Sequence, residues 1–167
     1  MSDAPNDLAK LRELVQANDV IMLTTVDAQW LLEARPMSLE DFDEHGRLWF
    51  FTEYHSSKAD QLDTDPRALV TLSGKNYVSI QGTAKVVRDP ARQRELWNRP
   101  AEAWLRCEPE DPKVGLLVVQ ATGAQYWETP GVAAGLLSVI SAFVKGEQPD
   151  LGTNETVDLP AASGEPR

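Results

Sequence analysis

At 167 residues the chain has the size of one domain with a short appendage, and 42% hydrophobic with 25% charged residues is an ordinary globular composition. A formal net charge of -10 repels phosphate backbones and anionic lipid, so the expectation is no nucleic acid and no membrane partner. One cysteine (Cys107) and two histidines (His45 and His55) exclude an intrachain disulfide and argue against a multi-ligand metal site or a histidine-based triad.

The elements follow in chain order. Leu8, Leu11, Leu14 and Val15 recur at helical spacing, which predicts a helix over residues 6–17 capped by Asn6 or Asp7. VIMLTTV (20–26) is β-branched and reads as a strand, and WLLEARPM (30–37) reads as its hairpin partner. SLEDFDEHG (38–46) is acidic and turn-like, and RLWFFTEY (47–54) is an aromatic strand. HSSKADQLDTDP (55–66) predicts a short helix with Ser56 or Ser57 as N-cap, closed by Pro66. RALVTLS (67–73) and YVSIQGTAKVVRD (77–89) are two more strands, and Gly82 inside the second invites a bulge or a close backbone approach. Residues 91–107 look helical with an interruption at Pro100, and VGLLVVQATGAQYWE (114–128) completes the strands.

Six strands with few, short helices predict a mainly β fold, a small antiparallel β-barrel over residues 1–130. GVAAGLLSVISAFVKG (131–146) is an apolar, helix-like segment that must pack on the barrel or a partner. Residues 147–167 form an acidic tail rich in Pro and Gly, expected to be mobile unless held. The N-terminus MSDAPNDLAK has no leader pattern, and no apolar run reaches the ~18 residues of a membrane span, so a cytoplasmic location is expected.

Three pieces carry candidate chemistry: Glu33 to Met37, Trp49 to Thr52, and Ser56 to Leu62. They bring an arginine (Arg35), a threonine hydroxyl (Thr52), two serine hydroxyls and a lysine (Lys58) toward strand ends and a helix start. Free N–H groups and the helix dipole favour an anion there, and a phosphate takes charge-assisted bonds of this kind. On the residues alone, phosphate binding and structural ion pairing both remain open. His45 and His55 read as solvated loop residues, the run Glu40 to Glu44 as a solvated turn, and Cys107 as an inert thiol. No Walker loop or G-x-G-x-x-G occurs.

The order of these segments resembles the pyridoxamine 5'-phosphate oxidase-like split barrel, and within it the general stress protein 26 group. The resemblance is carried by Ala34-Arg35-Pro36-Met37, Leu48-Trp49-Phe50-Phe51-Thr52, Ser57-Lys58-Ala59-Asp60-Gln61-Leu62, Asp65-Pro66-Arg67 and Tyr77 to Ala84. Val87 to Pro90, Leu96-Trp97, Ala103-Trp104, Asp111-Pro112, Tyr126-Trp127-Glu128 and Gly152 to Leu159 extend it over about residues 7–159. It implies a six-stranded antiparallel split barrel of the FMN-binding type with flanking helices. It also implies a homodimer with FMN in two clefts at the subunit interface.

By position the resemblance assigns the FMN phosphate to Arg35 and Lys58, helped by Ser57 and Thr52. Backbone around Pro36, Met37 and Phe51 would line the flavin and its ribityl chain. Tyr77 falls where the oxidases carry a glutamine that contacts the other subunit's flavin. Trp127 matches an aromatic beside the isoalloxazine, or else serves as a barrel-core tryptophan. The chain departs from the oxidases in two places. Ser57 stands where they place a second phosphate-binding cation, and Thr129-Pro130-Gly131 replaces their C-terminal arginine segment. Leu105 to Glu108 replaces the group's usual glycine-proline-rich stretch. The expected function is flavin binding, as a stress-related reductase with NAD(P)H as electron donor or as a flavin carrier, with no catalytic residue assigned. An oxidase-like enzyme acting on another small substrate, with FAD or a deazaflavin, is a second reading. A cofactor-free structural barrel is a third.

Overall fold

The computed structural model describes residues 4–16, 20–74, 76–128 and 153–159. The elements are α1 (Ala4–Gln16), β1 (Val20–Val26), β2 (Leu32–Ser38), β3 (Asp41–Phe42), β4 (Arg47–Glu53), α2 (Ser57–Thr64), β5 (Arg67–Ser73), β6 (Asn76–Val87), α3 (Pro90–Leu96), α4 (Arg99–Leu105), β7 (Val114–Glu128) and β8 (Thr153–Asp158). The strands form one antiparallel sheet in the order β2-β1-β5-β6-β7-β4-β3, with β8 added on β7. The sheet curls until β2 and β4 approach each other without pairing, and this is the split of the barrel.

Alternation explains the barrel interior. Ile21 and Leu23 of β1, Ala68, Val70 and Leu72 of β5, and Val78 and Ile80 of β6 point inward. Leu11, Leu14 and Val15 of α1 pack against this core. The strand β4 and the first half of β7 do not alternate, because both of their faces are covered. Leu48 and Phe50 face the barrel, whereas Trp49 and Phe51 lie in a second core with Ala101 of α4 and Leu116 and Val118 of β7. Phe51 meets Trp97 edge-on at 5.1 Å.

Several expected boundaries move for local reasons. The strand expected over 30–37 begins at Leu32, because Trp30 takes φ 63° in a turn closed by Asp27, whose Oδ1 accepts from Gln29 N (2.9 Å) and Leu31 N (2.8 Å). The helix expected over 91–107 is two helices, and the break lies at Trp97 and Asn98, before Pro100. Proline is tolerated in a first helical turn, and Asn98 caps α4 by accepting from Ala101 N at 2.9 Å. The acidic turn contains the short strand β3, followed by Gly46 at φ 74°. Gly82 sits at a register shift against β7, where a Cβ would fall on the Gln120 carbonyl, 2.9 Å from its carbon. Of the segment read as an acidic tail, Thr153–Asp158 is β8 and buries Val157 in the barrel core. The apolar segment 131–146 lies outside the described residues.

The outer face of β2-β1-β5-β6 exposes several large apolar side chains, and no described element packs on them. Val20, Met22, Leu32 (77% exposed), Leu69 and Tyr77 (51%) lie on it, with Met22 opposite Pro36 and Thr71. No helix among the described residues is long and apolar enough to cross a membrane.

Candidate functional site at the split of the barrel

The inward alternation of β1 ends in a polar residue: Ile21 and Leu23 are followed by Thr25, which is as buried as they are. On β2 the register sets Arg35 opposite Leu23 and Glu33 opposite Thr25, so both side chains leave the same inner face at the sheet's edge. Helix α2 closes over them. Its N-cap is Ser56, which accepts from Ala59 N at 3.4 Å, and its buried Leu62 anchors it to the barrel core. Gln61, one position before that anchor, therefore turns toward β1 and β2.

The result is a closed polar cluster. Arg35 donates through Nη1 to Thr25 Oγ1 (2.7 Å) and through Nη2 to Gln61 Oε1 (3.0 Å), and its Nη2 lies 3.1 Å from Glu33 Oε2. Thr25 donates to Gln61 Oε1 (2.7 Å), and Gln61 Nε2 donates to Glu33 Oε2 (2.6 Å). Hydrogen bonds from Gln61 and Arg35 hold the Glu33 carboxyl below the usual carboxylate range. Three of the five guanidinium N–H groups are used in this way, leaving two.

Lys58, in the first turn of α2, is a different case. No described carboxylate lies within ion-pair distance of its ammonium. Burial, then the neighbouring Arg35 guanidinium, pushes its pKa down, against the weaker pull of Glu53 and Glu33. Two cations thus stand close enough to repel, and of the two only Arg35 has an ion pair among the described residues, with Glu33. Thr52 reaches the same end of the barrel from β4, four residues before the Ser56 cap. Its hydroxyl is fully buried and has no hydrogen-bond partner among the described residues. An anion with several acceptor oxygens would answer both defects, so the residues fit a phosphate group.

The structure brings Arg35 and Lys58 together, while Ser57 lies exposed at the start of α2 and Thr52 is buried on β4. Met37 and Phe51 bury their side chains, so only their backbone can face a ligand, and Pro36 lies on the outer face. Tyr77 and Trp127 are direct cross-strand partners on β6 and β7, on the outer face rather than beside Arg35. Tyr126 takes the core position next to Trp127, which is half-buried. Sequence reasoning missed Thr25 and the pairing roles of Glu33 and Gln61. A threonine in the third inward position of an apolar strand was the available signal. His45 and His55 are exposed, and Cys107 is half-buried with its thiol pushed up by burial and by Asp111 and Glu108.

The family described as "Pyridoxamine 5'-phosphate oxidase like" matches residues 6–150. The chain belongs to this family. A general stress protein 26 structure from Jannaschia sp. superposes with a TM-score of 0.74 at 26% identity, covering 92% of this chain and 99% of that one. The general stress FMN/FAD binding protein from Xanthomonas citri superposes with a TM-score of 0.61 at 26% identity, covering 77% and 89%. Protein bli-3 from Neurospora crassa is 28% identical over 156 residues, covering 85% of this chain and 73% of that protein. The fold of this family member is accordingly the antiparallel split barrel, with β3 and β8 added to the six expected strands.

Proposed function

We infer that this chain binds FMN by its phosphate at the split between β2, β4 and α2. The observation that carries the reading is the closeness of the Arg35 and Lys58 cations, with Lys58 in no ion pair among the described residues, together with a buried Thr52 hydroxyl that has no hydrogen-bond partner there. Arg35 and Lys58 supply charge, and Thr52 and Ser57 supply hydroxyl donors. The backbone of Pro36, Met37 and Phe51 lines the flavin. The Xanthomonas citri relative, an FMN/FAD binding protein, supports a flavin ligand. FAD shares the phosphate that this site would hold, so it is the second cofactor to test.

Once bound, the flavin supplies the hydride or one-electron chemistry, with NAD(P)H as the electron donor in the reductase reading. The protein's own part is to bind and orient, and no general acid or base is assigned. Pyridoxamine phosphate oxidation is disfavoured because Thr129-Pro130-Gly131 replaces the oxidases' terminal arginine segment.

The working unit in this reading is a homodimer. The apolar outer face at Met22, Leu32 and Leu69 supports it, since water-exposed apolar surface of this kind is ordinarily buried against a partner. In the dimer Tyr77 and Trp127 of one subunit approach the flavin of the other.

The site is tested by purifying the protein, recording flavin absorbance, and measuring fluorescent flavin released on heating. Arg35→Ala with Lys58→Ala is expected to weaken FMN binding at least ~100-fold with an unchanged circular dichroism spectrum. A double variant that binds FMN like the parent overturns the assignment. Met22→Glu with Leu32→Glu is expected to convert a dimer to a monomer in light scattering. A parent that is monomeric at micromolar concentration overturns the dimer.

A further inference from the structure

Glu33 precedes Arg35 by two residues on β2, and that spacing puts both on the inner face at the site just described. The carboxylate already occupies the edge of the guanidinium that an incoming oxyanion would use. Its Oε2 lies 3.1 Å from Arg35 Nη2 and accepts from Gln61 Nε2 at 2.6 Å. Gln61 Oε1 accepts from the same arginine nitrogen at 3.0 Å, so one amide braces both halves of the ion pair. Carboxylate and phosphate present the same kind of oxygen edge to this planar fork of donors. The two partners differ in freedom: the Glu33 side chain is 52% exposed and the Arg35 side chain 15%. The carboxylate can swing into water, whereas the guanidinium is fixed by Thr25 and Gln61.

We propose that Glu33 is a competitor built into the phosphate site, a carboxylate seated on Arg35 that an incoming phosphate must displace. The proposal rests on the phosphate site inferred above. The seated carboxylate keeps the guanidinium and the Gln61 amide satisfied in the free protein. It also repels a second anion at the same donors, so it lowers affinity for a phosphorylated flavin without touching an unphosphorylated one. On displacement Gln61 Nε2 is released to donate to the phosphate. Glu33 thereby sets how strongly the site prefers FMN over riboflavin. Lys58 faces the same region and attracts both Glu33 and the ligand, which moderates their repulsion, while Glu53 draws on the same ammonium.

The test titrates FMN and riboflavin, each by fluorescence quenching, into the parent, Glu33→Gln and Glu33→Ala. Both variants are expected to bind FMN about five- to tenfold more tightly than the parent and riboflavin equally well, the size expected for removing one partly exposed charge. A ratio of FMN to riboflavin affinity that is unchanged or smaller in both variants, in a parent that discriminates between the two ligands, overturns the role of Glu33 and leaves the phosphate site standing. If parent and variants all fail to prefer FMN, and Arg35→Ala changes nothing, the phosphate site itself is wrong and the proposal falls with it.

Discussion

Around Trp49 every charge is answered, whereas around Arg35 one cation and one hydroxyl are not. Arg47 and Arg92 both lie over the Trp49 ring, at 5.2 and 5.1 Å from its centroid. Asp43 accepts from Trp49 Nε1 (3.0 Å) and from Arg47 Nε (2.7 Å). Arg92 pairs with Asp41 at 2.5 Å and with Glu95 at 2.7 Å. This cluster fastens α3 to the β3–β4 hairpin, and each of its arginines has a carboxylate partner. At the split, the half-buried Lys58 has no ion-pair partner and the buried Thr52 hydroxyl no hydrogen-bond partner among the described residues. Arginine clusters built from the same residue types thus separate into a fastening and a receptor by what remains unsatisfied.

That contrast can be broken by mutation. Removing the fastening should affect stability and spare binding. Trp49→Ala is expected to cost about 3–5 kcal/mol in denaturant unfolding, because it empties a buried site and strips both guanidiniums of their ring. Flavin retained by the folded fraction should be unchanged, and a selective loss of flavin would erase the distinction between the two regions.

Asp43 gives a smaller effect with a pH signature. Burial raises its carboxyl, but the bonds from Trp49 and Arg47 outweigh burial and leave it below the ordinary 3.8. A depressed folded-state value contributes stability that is present above about 3.8 and lost as pH falls through the folded value. Asp43→Asn should therefore cost about 1–2 kcal/mol at neutral pH, and the gap between variant and parent should narrow in acid. A gap that stays constant down to pH ~2 would show that the carboxylate's charge contributes nothing.

The smallest effect is the one that best sharpens the comparison. Thr52→Val removes a buried hydroxyl with no partner, so the free protein should gain about 1 kcal/mol in unfolding stability. The same variant should bind FMN several-fold more weakly. Opposite signs in the two measurements are what a ligand-facing orphan predicts. A variant that loses stability would mean that the hydroxyl is satisfied in the free protein.

Much of the barrel could be read in the chain. β1, β5 and β7 begin and end where the pattern placed them, because a strand with one wet face must alternate and a strand with two covered faces must be apolar throughout. Gly82 announced its bulge for steric reasons that any sequence reader can apply. β3 and β8 were not visible. Two paired residues in an acidic turn carry no pattern, and the polar TNETVD of β8 becomes a strand only because the edge of β7 is there to pair with it.

The candidate site divides along the same line. The sequence by itself determined the supply of groups: an arginine after an apolar strand, and a lysine in the first turn of a capped helix. It also placed a threonine at the end of an aromatic strand and left the rest of the surface acidic. Only the tertiary structure decided which of them are answered. Gln61 meets Glu33 and Arg35 across gaps of 28 and 26 residues, and no local rule links positions so far apart. Sheet register and the docking of Leu62 set those distances, and they leave Lys58 and Thr52 to whatever binds. Charge is a property of the residue, but whether that charge is already neutralised depends on neighbours that only folding supplies.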